Sequence, residues 1–147
     1  MEIPKRIDSE GRNWGRWCLV DGESPIPIPF KEASWVRFRK HDKTDWDGEE
    51  PPPPPPVDYR SARVVHGVYK SLPLVCKHVM CSYWVGNYIY GRPRAEHETV
   101  RLLNILVQAK RLDVPEGFQF SYHQYRMDIS YIARKMEAAF EICARSD

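Results

Sequence analysis

Apolar residues recur along the second half of this 147-residue chain at the three- and four-residue intervals of helices that bury one face. Asp58 suits a helix N-cap, and after it Ala62, Val65, Val68, Tyr69 and Leu72 share one side of a helix starting at Tyr59. Arg60, Arg63, His66 and Lys70 fall mostly on the other side. Leu72-Pro73 breaks this helix. Pro73 suits the first turn of a second one, in which Val75, Val79 and Tyr83 form a stripe widened by Cys76 and Met80, and which ends at Gly86-Asn87. A loop from Tyr88 to Arg94 leads to a third helix, from about Ala95 to Leu112, whose apolar face is Thr99, Leu102, Leu103, Leu106, Val107 and Ala109. The last helix begins near Ser121 and carries apolar residues at 122, 125, 129, 132, 136, 139 and 143, the spacing of a helix–helix seam. Packing within the molecule is favoured over a dimer contact.

The first half reads differently. Ile7 to Val20 suits a helix on which Trp14 and Trp17, three apart, share a face; two indoles would not be left in water, so they pin this helix onto the second half. Gly15 leaves room for close approach, and Arg12 and Arg16 face outward. Ser24-Pro25-Ile26-Pro27-Ile28-Pro29 lacks alternate amide hydrogens and should be an extended loop, continuing through a short edge strand at Trp35-Val36-Arg37-Phe38-Arg39. An acidic stretch from Asp42 to Glu50 precedes six prolines, Pro51 to Pro56, a polyproline II strut of roughly 19 Å. The expected architecture is mainly α: residues 1–22 form a docking helix, 23–56 an irregular Pro-rich and acidic segment, and 57–147 a four-helix bundle.

Charge follows the same division. Residues 1–56 hold 9 Lys/Arg against 11 Asp/Glu, and residues 57–147 hold 13 against 9, so the basic excess lies with the helices. An excess this small implies few phosphate contacts and modest affinity for free DNA. No run of 18 apolar residues occurs and the N-terminus lacks a signal-like apolar core, which predicts no membrane span and an intracellular location. The four cysteines, at 18, 76, 81 and 143, have neither metal-ligand nor disulfide-framework spacing and read as buried reduced thiols. His41, His66, His78 and His97 stand isolated.

One stretch carries sharper information. Leu106-Val107-Gln108-Ala109-Lys110-Arg111-Leu112-Asp113-Val114-Pro115 has the small residue, closing aliphatic and turn plug of a helix-turn-helix, whose second helix would lie against DNA. Trp14-Gly15-Arg16-Trp17 near the start, Ala62 through Leu72-Pro73 with Tyr83, and Ala109-Lys110-Arg111-Leu112-Asp113-Val114 follow one another in this order. In that order the chain resembles the short, zinc-free members of the phage antitermination protein Q family, in patches over about two thirds of its length.

The resemblance implies a helical domain similar to the promoter-reading region of sigma factors. Such a protein binds a late-promoter element in double-stranded DNA, loads onto RNA polymerase in the cytoplasm of a bacterial host and lets the enzyme read through terminators. The chain departs from the family by inserting Pro115-Glu116-Gly117-Phe118-Gln119-Phe120 before Ser121. Either the turn is longer, or the recognition helix starts irregularly at Glu116.

With Ser121 as cap, His123, Gln124 and Arg126 are the first outward positions of the last helix, and Tyr122 and Tyr125 turn to the core. Gln reads adenine and Arg reads guanine, so Gln124 and Arg126 are the candidates for base readout. Arg92, Arg94, Lys110 and Arg111 are candidates for phosphate contact, and a homodimer on DNA is one arrangement left open. No nucleophile triad, phosphate-cradling glycine loop or His-x-x-x-His occurs, which argues against an enzyme and implies no cofactor. Asp42, Asp45 and Asp47 lack calcium-loop spacing and make a poor magnesium nuclease. The alternative to a DNA-binding antiterminator is a helical module that grips polymerase or another regulator without touching DNA.

Overall fold

A computed structural model describes residues 3–21, 56–86 and 91–146. Within them the chain forms five α-helices and no strand: α1 (Lys5–Asp21), α2 (Tyr59–Ser71), α3 (Leu74–Trp84), α4 (Arg92–Gln108) and α5 (Tyr122–Ser146). This is the mainly helical bundle that the periodicity predicts. Among the described residues no helix is long and apolar enough to cross a membrane. The Pro-Ile loop, the edge strand at 35–39, the acidic stretch and most of the proline run lie outside the described residues.

Helix α3 is the hub and touches all four other helices. From Cys76 to Val85 every residue except Lys77 is buried, so the expected stripe is in fact an almost complete apolar girth. Its start is set by Pro73, whose carbonyl accepts the Lys77 N–H at 3.0 Å. Helix α2 begins where its cap predicts, with the Asp58 carboxylate accepting the Ser61 N–H at 3.2 Å. Ala62, Val65, Val68, Tyr69 and Leu72 are all buried.

Helix α1 lies along α2 with Ile7, Trp14, Trp17 and Cys18 inward. Trp14 packs on Tyr69 with ring centroids 5.4 Å apart, and Trp17 meets His66 edge-on at 4.9 Å. His66, expected on the polar side, is instead half-buried among these rings. Its Nδ1 accepts the Trp14 indole N–H at 3.3 Å, and burial, then Lys70, lowers its pKa and keeps the ring neutral. Arg12 is exposed, paired with Asp8 at 3.1 Å, whereas Arg16 is half-buried rather than fully outside.

A close approach on α1 falls at Gly11. A Cβ built there would overlap the indole of Trp84, which is 1% exposed and donates its N–H to Asp8 Oδ1 at 3.1 Å. Asn13, one turn from Asp8 and 6% exposed, makes a second long-range tie. Its Nδ2 donates to the Asp58 carbonyl and its Oδ1 accepts the Asp58 N–H, both at 2.9 Å.

Helix α4 starts earlier than expected because Gly91, with φ of 82°, turns the chain and Pro93 sits in the first turn. Its inward face is Ala95, Thr99, Val100 and Leu103; Leu102, Leu106 and Val107 are half-buried and Ala109 is exposed. On α5, Tyr125, Ile129, Ile132, Ala133 and Met136 are buried, so the middle of the seam packs within the molecule. Both ends of the seam depart from the pattern: Tyr122 is 43% exposed and Cys143 is exposed, while the other three thiols are buried. Burial holds Cys76 up at about 11 and Cys81 well above the ordinary thiol range, leaving both protonated and unreactive at neutral pH.

Candidate nucleic-acid interface

Residues 106–115 do not form a compact helix-turn-helix corner. Helix α4 stops at Gln108 and α5 begins at Tyr122, with thirteen residues between them, far beyond the three or four of such a turn. The stop is a Schellman cap: the Arg111 N–H reaches the Leu106 carbonyl at 3.0 Å and the Lys110 N–H reaches Val107 at 3.1 Å. This places Lys110 in the left-handed region, with φ of 57°. A lysine there pays a steric cost that glycine avoids. Lys110→Gly is therefore expected to stabilise the protein by about 1 kcal/mol, read as a higher midpoint in urea, even as it removes a candidate phosphate contact.

Beyond the cap the chain makes a tight turn over Asp113, with the Val114 N–H on Leu112 O at 3.1 Å. A second turn follows at Pro115–Phe118, where Gly117 supplies φ of 82°. Of the two alternatives left by the inserted residues, the longer turn is the one found. The arc stands off from α4 and leaves a groove of about 830 Å³ lined by Asn104, Val107, Leu112, Val114 and Phe118 among others. Leu112 and Phe118 still pack on the core, but Ala109 admits no neighbouring helix.

The arc is pinned at its far end. Asn104 Nδ2 donates to the Phe120 carbonyl at 2.9 Å while its Oδ1 accepts the Phe120 N–H at 2.6 Å. Ser121 then caps α5 by accepting the Gln124 N–H on its hydroxyl at 3.1 Å. Behind the first turn, Ser82 bridges three helices, donating to the Ala95 carbonyl at 2.9 Å and lying 2.9 Å from the Tyr125 hydroxyl.

The candidate DNA-contacting residues divide into two groups. His123 and Arg126 are exposed near the N-terminal half of α4, where Arg126 lies 3.7 Å from Glu96. Tyr122, expected in the core, instead turns outward, and its hydroxyl meets His97 Nδ1 at 2.7 Å, so His97 is not isolated. Arg94 is exposed at that end too. Lys110 and Arg111, also exposed, sit at the opposite end of α4, roughly 24 Å away along its axis. Arg92 begins the helix. Seven base-pair rises cover about the same length.

Gln124 is not freely presented. It is half-buried, and its Nε2 donates to Asp128 Oδ1 at 3.0 Å. Asp128 is held above the usual carboxylate range by burial, against the lowering effect of the Gln124 hydrogen bond. Because the fold raises this pKa, stability is greatest with the acid protonated and declines as pH rises from about 3.9 through the raised value. Asp128→Asn keeps an acceptor for Gln124 and removes that decline. The variant should melt at a higher temperature than the native chain at pH 7, with the gap closing below pH ~4; thermal scans at the two pH values test this.

Among the described residues no three His, Cys, Asp or Glu side chains gather as a metal site. The chain matches no protein-family model, no curated protein and no solved structure.

Proposed function

We propose that this chain is a phage transcription antitermination factor whose helical body contacts double-stranded DNA chiefly through phosphates, with host RNA polymerase as its second partner. Charge separation carries the reading. The described helical body holds 17 Lys/Arg against 11 Asp/Glu, whereas the remaining residues hold 5 against 9. Exposed Arg94, Arg101, Lys110, Arg111, His123 and Arg126 lie along α4 and the first turns of α5.

Base readout is a lesser part of the proposal than the sequence suggests. Freeing Gln124 from Asp128 forfeits a hydrogen bond of about 1 kcal/mol, comparable to the low end of the 1–3 kcal/mol that a base contact returns. Arg126 exchanges its partner more easily, since its guanidinium is exposed and lies 3.7 Å from the half-buried Glu96, a long and partly solvated pair.

Lys110→Ala with Arg111→Ala should weaken binding to all duplex sequences and flatten the salt dependence by up to about two units of slope. Gln124→Ala should change sequence preference little. A run-off assay with purified polymerase and a downstream terminator tests the whole reading, the expected result being readthrough that depends on an upstream DNA segment. The internal engagement of Ser121, Gln124 and Arg126 favours a second reading, a polymerase-gripping module that never touches DNA. Readthrough without any DNA footprint of this protein would select it.

A further inference from the structure

We propose that the outward face of α5 is a docking surface for an acidic, apolar-studded helix of a partner protein, separate from the DNA-facing flank and independent of that reading. At 100° per residue, Met127, Tyr131, Arg134, Ala138 and Ile142 lie opposite the buried line of Tyr125, Ile129, Ile132 and Met136. Met127 is 53%, Tyr131 41% and Ile142 64% exposed. Intervals of four, three, four and four make a seam for a second helix. The small Ala138, between Arg134 and Ile142, lets a partner backbone come close.

The charges choose the occupant. Arg134, Lys135 and Arg145 are all exposed on or beside this seam, with Lys135 Nζ 5.5 Å from the centre of the Tyr131 ring. The acids of this helix keep to its flanks: Asp128 and Glu137 are half-buried, and exposed Glu141 lies at the edge of the stripe. A second copy laid face to face would set these cations against one another, which disfavours self-association. A membrane surface needs a broader apolar face than three large side chains in single file over about 22 Å of helix. A partner helix with acids flanking its apolar positions satisfies both the cations and the apolar groups.

The test uses the full chain and a fluorescent three-heptad peptide with Leu at the seam positions and Glu beside them, together with a control carrying Lys in place of Glu. Fluorescence anisotropy should show the Glu peptide binding at least tenfold more tightly than the Lys peptide. Arg134→Glu with Lys135→Glu should reverse that order, and Tyr131→Ala should weaken the Glu peptide severalfold, with circular dichroism confirming that each variant is folded. A dT20 oligonucleotide and phosphatidylserine vesicles run in parallel. Equal binding of the two peptides, or no effect of the charge reversal, overturns the proposal. So does a Glu peptide that stays unbound while dT20 or the vesicles bind in a way the charge reversal abolishes.

Discussion

Gly11→Ala is expected to lower the thermal midpoint of this protein by roughly 10–20 °C. In an exposed helix the same change would stabilise by up to about 1 kcal/mol, because alanine loses less backbone entropy than glycine. Here the new methyl meets the Trp84 indole at overlapping distance. That ring cannot retreat cheaply: it is 1% exposed, meets Tyr83 edge-on at 5.0 Å and gives its N–H to Asp8. Overpacking of this kind costs about 3 kcal/mol or more, so the steric effect outweighs the propensity gain. Trp84→Leu in the Gly11→Ala background should recover part of the loss, since a smaller side chain leaves the methyl room. Strict additivity of the two changes would show that the clash is not where the stability goes.

Asn13→Ala is the second large effect, a loss of about 2–3 kcal/mol. Two hydrogen bonds of about 1 kcal/mol each disappear, and the Asp58 N–H loses its partner. The Asp58 carbonyl is partly protected, because it also accepts the Ala62 N–H at 3.0 Å. Asp58→Ala removes a different interaction, the side-chain cap, and should cost about 1 kcal/mol. Asn13 hydrogen-bonds the backbone of Asp58 directly, so the two sites are coupled and the double variant should depart from the sum by about 0.5 kcal/mol or more. A urea denaturation cycle of the four proteins decides it, and a double variant no worse than Asn13→Ala would mean that the cap works only through the clamp.

The helices of the bundle were legible because their signals are local. Asp58 and Pro73 mark starts, and the spacing from Ala62 to Leu72 names a face without knowledge of its partner. The end of α4 was not legible, because its left-handed cap residue is lysine where glycine would have announced it, and the helical pattern reads on to Leu112. Ala109 misled for a related reason: a small residue serves a close helix contact or an exposed cap equally well, and here it serves the cap.

Non-local geometry was hidden for the same cause. Spacing places Tyr122 on the seam of α5, but cannot tell that the neighbouring helices offer it His97 on the outside rather than a core. Nothing local distinguishes Gly11 from Gly15 as the point where Trp84 arrives. Of the candidate interface, the exposed cations were correctly placed on the surface, while the engagement of Gln124 with Asp128 and Arg126 with Glu96 depends on packing.

The two asparagine clamps share a logic that reaches beyond stability. Asn13 holds the backbone at the entrance of α2 and Asn104 holds it just before the cap of α5, each at the downstream end of the connection from the preceding helix. Each works as a mooring post, so the heading of the helix that follows is decided at the post and not by the rope leading to it. A change in the length of either connection should therefore leave the bundle's registration in place.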